Sequence, residues 1–104
     1  MKELTLYIPE NKLKTLAKIL ENCQVEGFSY YDIMGRGKLE RNVSEKIVQG
    51  YRTEEKFIPE FVRRTKVEVI VPDVKVEEII NAIKQDASIK GKIVISDIVE
   101  TQDL

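Results

Sequence analysis

The chain contains no histidine. Its absence excludes histidine-based catalytic triads and imidazole metal ligation together. A single cysteine, Cys23, excludes an intrachain disulfide framework. It falls near the end of a helical pattern and reads as a core residue rather than a nucleophile. No apolar run approaches the roughly 18 residues of a membrane span. The opening MKELTLYIPE alternates in character, where a secretory leader would carry a uniform apolar block, so a cytoplasmic protein is expected. Acidic residues are plentiful, yet on the regular elements they fall mainly on helix exteriors, and spacing pairs no two of them for acid–base work. The pattern offers no catalytic residue and no metal site, and it does not read as an enzyme.

What is present fits one small domain spanning residues 1–104, 42% apolar and 34% charged. The net charge of −1 hides an asymmetry. From Arg36 to Lys66 there are nine Lys and Arg against five acids, so this stretch carries +4 and the remainder −5. A basic segment on an acidic body suits anionic ligands or acidic partners. Its long polar part, GRGKLERNVSEKIVQGYRTEEKF (Gly35 to Phe57), exceeds the usual length of a connection in a compact domain. Ile47, Val48, Phe57, Ile58, Phe61 and Val62 give it apolar anchors. The last four of these suit a short helix or a strand extension, and such a segment is often ordered by a partner.

Two passages repeat at an offset of 63 residues: LYIPENKLKTLAKIL (Leu6 to Leu20) and VIVPDVKVEEIINAI (Val69 to Ile83). Each ends an apolar strand at a proline, passes an acid and a lysine, and enters a helical pattern. Leu13, Leu16, Ala17 and Leu20 recur at i, i+3, i+4, i+7, as do Val76, Ile79, Ile80 and Ile83, which places each set on one helix face. Pro9 and Pro72 end the strands because proline cannot donate to a ladder, and Asp73 is a candidate N-cap. GFSYYDI (Gly27 to Ile33) then matches GKIVISDI (Gly91 to Ile98), and both read as strands. Two strand–helix–strand units predict an α+β, ferredoxin-like βαββαβ fold, a four-stranded antiparallel sheet with both helices on one face.

The third strand carries Val67, Val69 and Val71 on one face and Ile70 on the other; the last carries Ile93 and Ile95 against Val94 and Ile98. Helices cover only one face, so aliphatic residues on the second predict burial against another copy in a closed symmetric assembly. Nucleic-acid binding through such a sheet would want aromatic residues on the third strand, which is aliphatic here.

The order of EGFS (Glu26 to Ser29), GRGK (Gly35 to Lys38), TKVEVIVPD (Thr65 to Asp73) and the closing GKIVISDI resembles the PII superfamily of trimeric signalling proteins over nearly the whole chain. The resemblance implies a homotrimer with adenine nucleotide (ADP, AMP or ATP) bound in clefts between subunits. It also implies a T-loop, here about residues 36–63, that controls a target protein such as a membrane transporter or metabolic enzyme. Ile47, Val48, Tyr51 and Arg52 are the candidate partner contacts. By position, Gly27, Phe28 and Ser29 would stand near the adenine. Gly35, Gly37 and Lys38 would lie beside the phosphates, with Glu68, Val69 and Ile70 contributing from the third strand and Gly91 and Lys92 from a shortened B-loop. The residue chemistry agrees, since glycine lets backbone N–H groups approach an anion and Arg36, Lys38, Lys90 and Lys92 supply counter-charge.

The chain departs from the typical PII pattern at several points. Only Gly91-Lys92 remains of the Gly-Asp-Gly-Lys phosphate loop, Glu100 and Asp103 stand where arginines reach the phosphates, and Leu39 replaces the glutamine used with magnesium and 2-oxoglutarate. Losing cationic donors worth about 1.5–3 kcal/mol each weakens a triphosphate site. The expectation is a diverged PII-like protein that prefers AMP, ADP or another small anion. Two alternatives are a ligand-free interaction trimer and a trimer resembling the CutA metal-tolerance proteins, the latter disfavoured by the lack of histidine.

Overall fold

Each half of the chain turns from strand to helix through a proline. The computed structural model describes residues 1–25, 27–37 and 60–104. In it Pro9 and Pro72 take nearly the same extended backbone, φ −63° with ψ 146° and φ −63° with ψ 151°. A single 3₁₀ turn follows each, Glu10–Lys12 and Asp73–Lys75. The elements in chain order are β1 (Lys2–Ile8), α1 (Leu13–Asn22), β2 (Ser29–Gly37), β3 (Glu60–Val71), α2 (Val76–Lys84) and β4 (Lys92–Asp97). The strands form one sheet in the order β2-β3-β1-β4, with β1 antiparallel to both β3 and β4. This is the ferredoxin-like arrangement that the repeat predicts.

Residues 1–33 together with 64–104 form one compact unit, and residues 34–63 a second. Among the described residues, the buried core lies in the first. Leu4, Leu6 and Ile8 of β1 and Val67, Val69 and Val71 of β3 point to the helix side, where Leu16 and Leu20 of α1 and Ile79 and Ile83 of α2 cover them. Full burial of one such side chain contributes about 1.5–3 kcal/mol. Cys23 belongs to this core, and burial pushes its thiol pKa up.

The two halves also brace each other. α1 ends with Gln24 in the left-handed region (φ 61°). There the Val25 N–H reaches the Leu20 carbonyl and the Gln24 N–H reaches that of Glu21, both at 2.9 Å. This pair of bonds closes a helix end of the Schellman type. Lys75, from the other half, donates through Nζ to the Cys23 carbonyl at 2.9 Å and to Gln24 Oε1 at 3.0 Å. A cation there also complements the negative end of the helix dipole. At the repeat offset, Lys12 answers to Lys75 and Asp86 to Cys23. The Asp86 carboxyl is held below its ordinary pKa first by hydrogen bonds from Ser88, with Lys12 adding to the effect.

Two expectations need correction. Asp73 is not an N-cap: it lies inside the 3₁₀ turn, neither that turn nor α2 has a side-chain cap, and its carboxylate binds the Met1 ammonium at 2.8 Å. The strands also run further than their β-branched cores suggest. β2 continues through Gly37, and β3 begins at Glu60, before the expected end of the loop. Of the alternatives for Phe61 and Val62, strand extension is the one observed, because ladder pairing carries strand past the β-branched residues.

Lys75→Met should lower stability by about 1.5–3 kcal/mol, the worth of hydrogen bonds to a charged group, measured by urea unfolding. The Asp86 carboxylate, with its depressed pKa, stabilises the fold above the ordinary aspartate value of about 3.9. That contribution is lost as pH falls through the folded value. Asp86→Asn should therefore flatten part of the fall in urea midpoint on acidification below about pH 5, the upper end of that titration.

Candidate functional site

On the sheet face away from the helices, strand alternation sets out a polar row. Register pairs Tyr7 of β1 with Lys66 of β3 on one side and with Lys92 of β4 on the other. Lys66 Nζ lies 5.7 Å from the Tyr7 ring centroid and 5.5 Å from that of Tyr31 on β2, within cation–π range. The ammonium stands 3.6 Å from Glu68 Oε2, which accepts a hydrogen bond from the Tyr31 hydroxyl at 3.2 Å. The Tyr31 hydroxyl, above all, holds the Lys66 pKa above its ordinary value. The row Lys92–Tyr7–Lys66–Tyr31 thus carries two cations and two rings, with the Glu68 carboxylate beside it already engaged by Tyr31 and Lys66.

The predicted residues fall into three groups. Within the first unit, Gly27 is exposed ahead of β2, Ser29 opens that strand, and Phe28 packs half-buried against the core with its ring 6.2 Å from that of Tyr30. On β3, Glu68 and Ile70 share the helix-free face, since their β1 partners Thr5 and Glu3 do. Val69 is 2% exposed in the core, so its side chain cannot touch a ligand on the helix-free face. Lys90 is exposed, and Gly91 and Lys92 lead into β4. Register brings Lys92 onto the Tyr7 row with Glu68.

Gly35, Arg36 and Gly37 belong to the second unit. They are strand residues at the end of β2 rather than a turn leaving it. Lys38, Leu39, Ile47, Val48, Tyr51, Arg52, Phe57 and Ile58 lie outside the described residues, as does Glu26. Tyr7, Tyr31 and Lys66 were missing from the predicted set. Alternation in TKVEVIVPD already placed Lys66 with Glu68, but the tyrosines needed the strand register.

Gly91 has a structural reason of its own. A Cβ there would lie 1.8 Å from the Tyr7 carbonyl oxygen, whereas Gly27 and Gly35 have open space around them. The backbone entering β4 is therefore pressed against β1 directly beneath the Tyr7 row.

Among the described residues no group of three or more Cys, Asp or Glu could hold a metal ion, and no helix is long and apolar enough to cross a membrane. The fold sets the polar row on the helix-free face of an α+β module. A family model described as Nitrogen regulatory protein P-II matches residues 1–104. The chain belongs to the P-II family, a family of regulatory signalling proteins. Comparison with curated proteins gives no match.

Gly91→Ala should cost about 1–3 kcal/mol in urea unfolding, the range for overpacking. Gly35→Ala and Gly27→Ala should stay within about 0.5 kcal/mol of the parent. A neutral Gly91→Ala would return that glycine to a purely ligand-binding role.

Proposed function

We propose that the chain is a trimeric signalling module that binds an adenine nucleotide between subunits and controls a target protein through the segment at about residues 36–63. The family match over residues 1–104 carries this reading. The cationic, aromatic row beside Gly91 and Lys92 supports the ligand half, because lysines attract phosphate and exposed tyrosine faces accept a base by stacking. Gly27 to Ser29 would border the base, and Lys90, Lys92 and the glycines at 35 and 37 would meet the phosphates. Acids at Glu100 and Asp103 disfavour a high negative charge on the ligand, so AMP or ADP is preferred over ATP. A signal requires the nucleotide to bind one arrangement of the segment more tightly than another.

A second reading is an interaction trimer without a nucleotide. The engagement of Glu68 by Tyr31 and Lys66 favours it, since that carboxylate is already satisfied.

Calorimetric titration with AMP, ADP, ATP and cyclic AMP separates the two. The proposal expects saturable binding of AMP or ADP that weakens in Lys92→Ala. Absence of binding to all four at millimolar concentration removes the nucleotide. Capture of one and the same target with and without nucleotide would then select the second reading.

A further inference from the structure

Seven residues, Gln85 to Gly91, join α2 to β4. The far end of this loop is held at two points. Ile89 packs half-buried against the core, and the Gly91 backbone is pressed on the Tyr7 carbonyl. Lys90 stands exposed between the two, and Lys92 follows directly at the start of β4.

The near end is a turn built on one residue. Asp86 donates its N–H to the Ile83 carbonyl at 3.0 Å, and its own carbonyl accepts the Ile89 N–H at 3.1 Å. Its Oδ1 accepts the Ser88 N–H at 2.9 Å and the Ser88 hydroxyl at 2.5 Å. A short acidic side chain suits this place because it can bond the backbone N–H two residues on, copying a backbone turn. The same bonds from Ser88, with Lys12 of the other half adding to the effect, keep the carboxyl ionised. A negative charge so close to Lys90 and Lys92 is out of place in a loop that meets phosphate, since as a charge it repels an anion. Its use there is geometric. A loop ordered only by its ligand loses affinity to that ordering, whereas a loop held beforehand does not.

We propose that Asp86 is a positioning residue of the nucleotide site: by holding the turn from Asp86 to Ile89, it fixes Lys90, Gly91 and Lys92 for the ligand's phosphate before binding. This rests on the nucleotide reading above and names the residue that sets its phosphate loop. Asp86 itself does not touch the ligand.

The test is calorimetric titration with AMP and ADP of the full-length parent, Asp86→Ala, Asp86→Asn, Ser88→Ala and Lys75→Met, with amide exchange at Ile89 in the ligand-free proteins. Asp86→Ala should weaken the tighter nucleotide at least about fivefold, through the ordering that binding must then supply, and should lose protection at Ile89. Asp86→Asn keeps an oxygen for the Ser88 N–H and should stay within about threefold of the parent. Ser88→Ala removes only an exposed hydroxyl and should fall between them. Lys75→Met, weakened at the end of the other helix, should bind within about twofold of the parent, as a separate site does. Affinity that rises in Asp86→Ala, as loss of a repelling charge alone would give, overturns the proposal. So do affinity and Ile89 protection that change independently. Equal losses in Asp86→Ala and Asp86→Asn would assign the effect to charge, and an equal loss in Lys75→Met to general stability; either overturns it. All of these outcomes leave the nucleotide site standing. A parent that binds neither AMP nor ADP at millimolar concentration removes that site and this role with it.

Discussion

The position of β1 at the centre of the sheet is the constraint on which the rest depends. Its residues are held in register on both sides at once, Leu4 between Val69 and Ile95, Leu6 between Val67 and Ile93. A slip of one residue would exchange the faces of the strand, sending Tyr7 and Thr5 into the core and leucines into water. The two sides of the sheet are therefore not independent. The same alternation that hands the helices a continuous aliphatic surface lines up Lys92, Tyr7, Lys66 and Tyr31 on the other side. The candidate ligand surface follows directly from how the core is packed.

Duplication explains how so short a chain makes one unit out of two strand–helix–strand pieces. The inner strands come one from each half, and the buried residues of both halves occupy one cluster. Lys75 reaches across to the end of the other half's helix, and Lys12 acts on Asp86 in the reverse direction. Of these two lysines, only Lys75 makes hydrogen bonds across the repeat; Lys12 reaches Asp86 as a charge at longer range. Among the described residues, none from 34–37 or 60–63 belongs to this cluster.

Much of this was legible in the sequence because it was periodic. The apolar spacing in Leu13 to Leu20 and Val76 to Ile83 placed both helices, and the prolines marked where strands stop. The repeat gave the sheet its topology, and TKVEVIVPD with GRGK pointed to the P-II family. Features that depend on partners distant in sequence were less accessible. Asp73 looked like a helix cap because acids before helices often are, but the Met1 ammonium lies beside it in the fold. The ends of β2 and β3 were misjudged because pairing across the sheet extends strands through glycine and arginine that local propensity would leave as loop. Gly91 looked like a phosphate-binding glycine, and only the register of β4 against β1 reveals the carbonyl that forbids a side chain. For the same reason Tyr7 and Tyr31 escaped notice: a tyrosine gives no sign of which lysine it will face.

The corner after α1 holds a compromise. Gln24 sits in a backbone conformation that glycine adopts more comfortably, yet its side-chain amide is one of the two oxygens gripped by Lys75. Replacing it with glycine would relax the turn and release that grip together. The residue found there combines a strained backbone with a tether between repeats, so a change at this position reaches both halves rather than the helix alone.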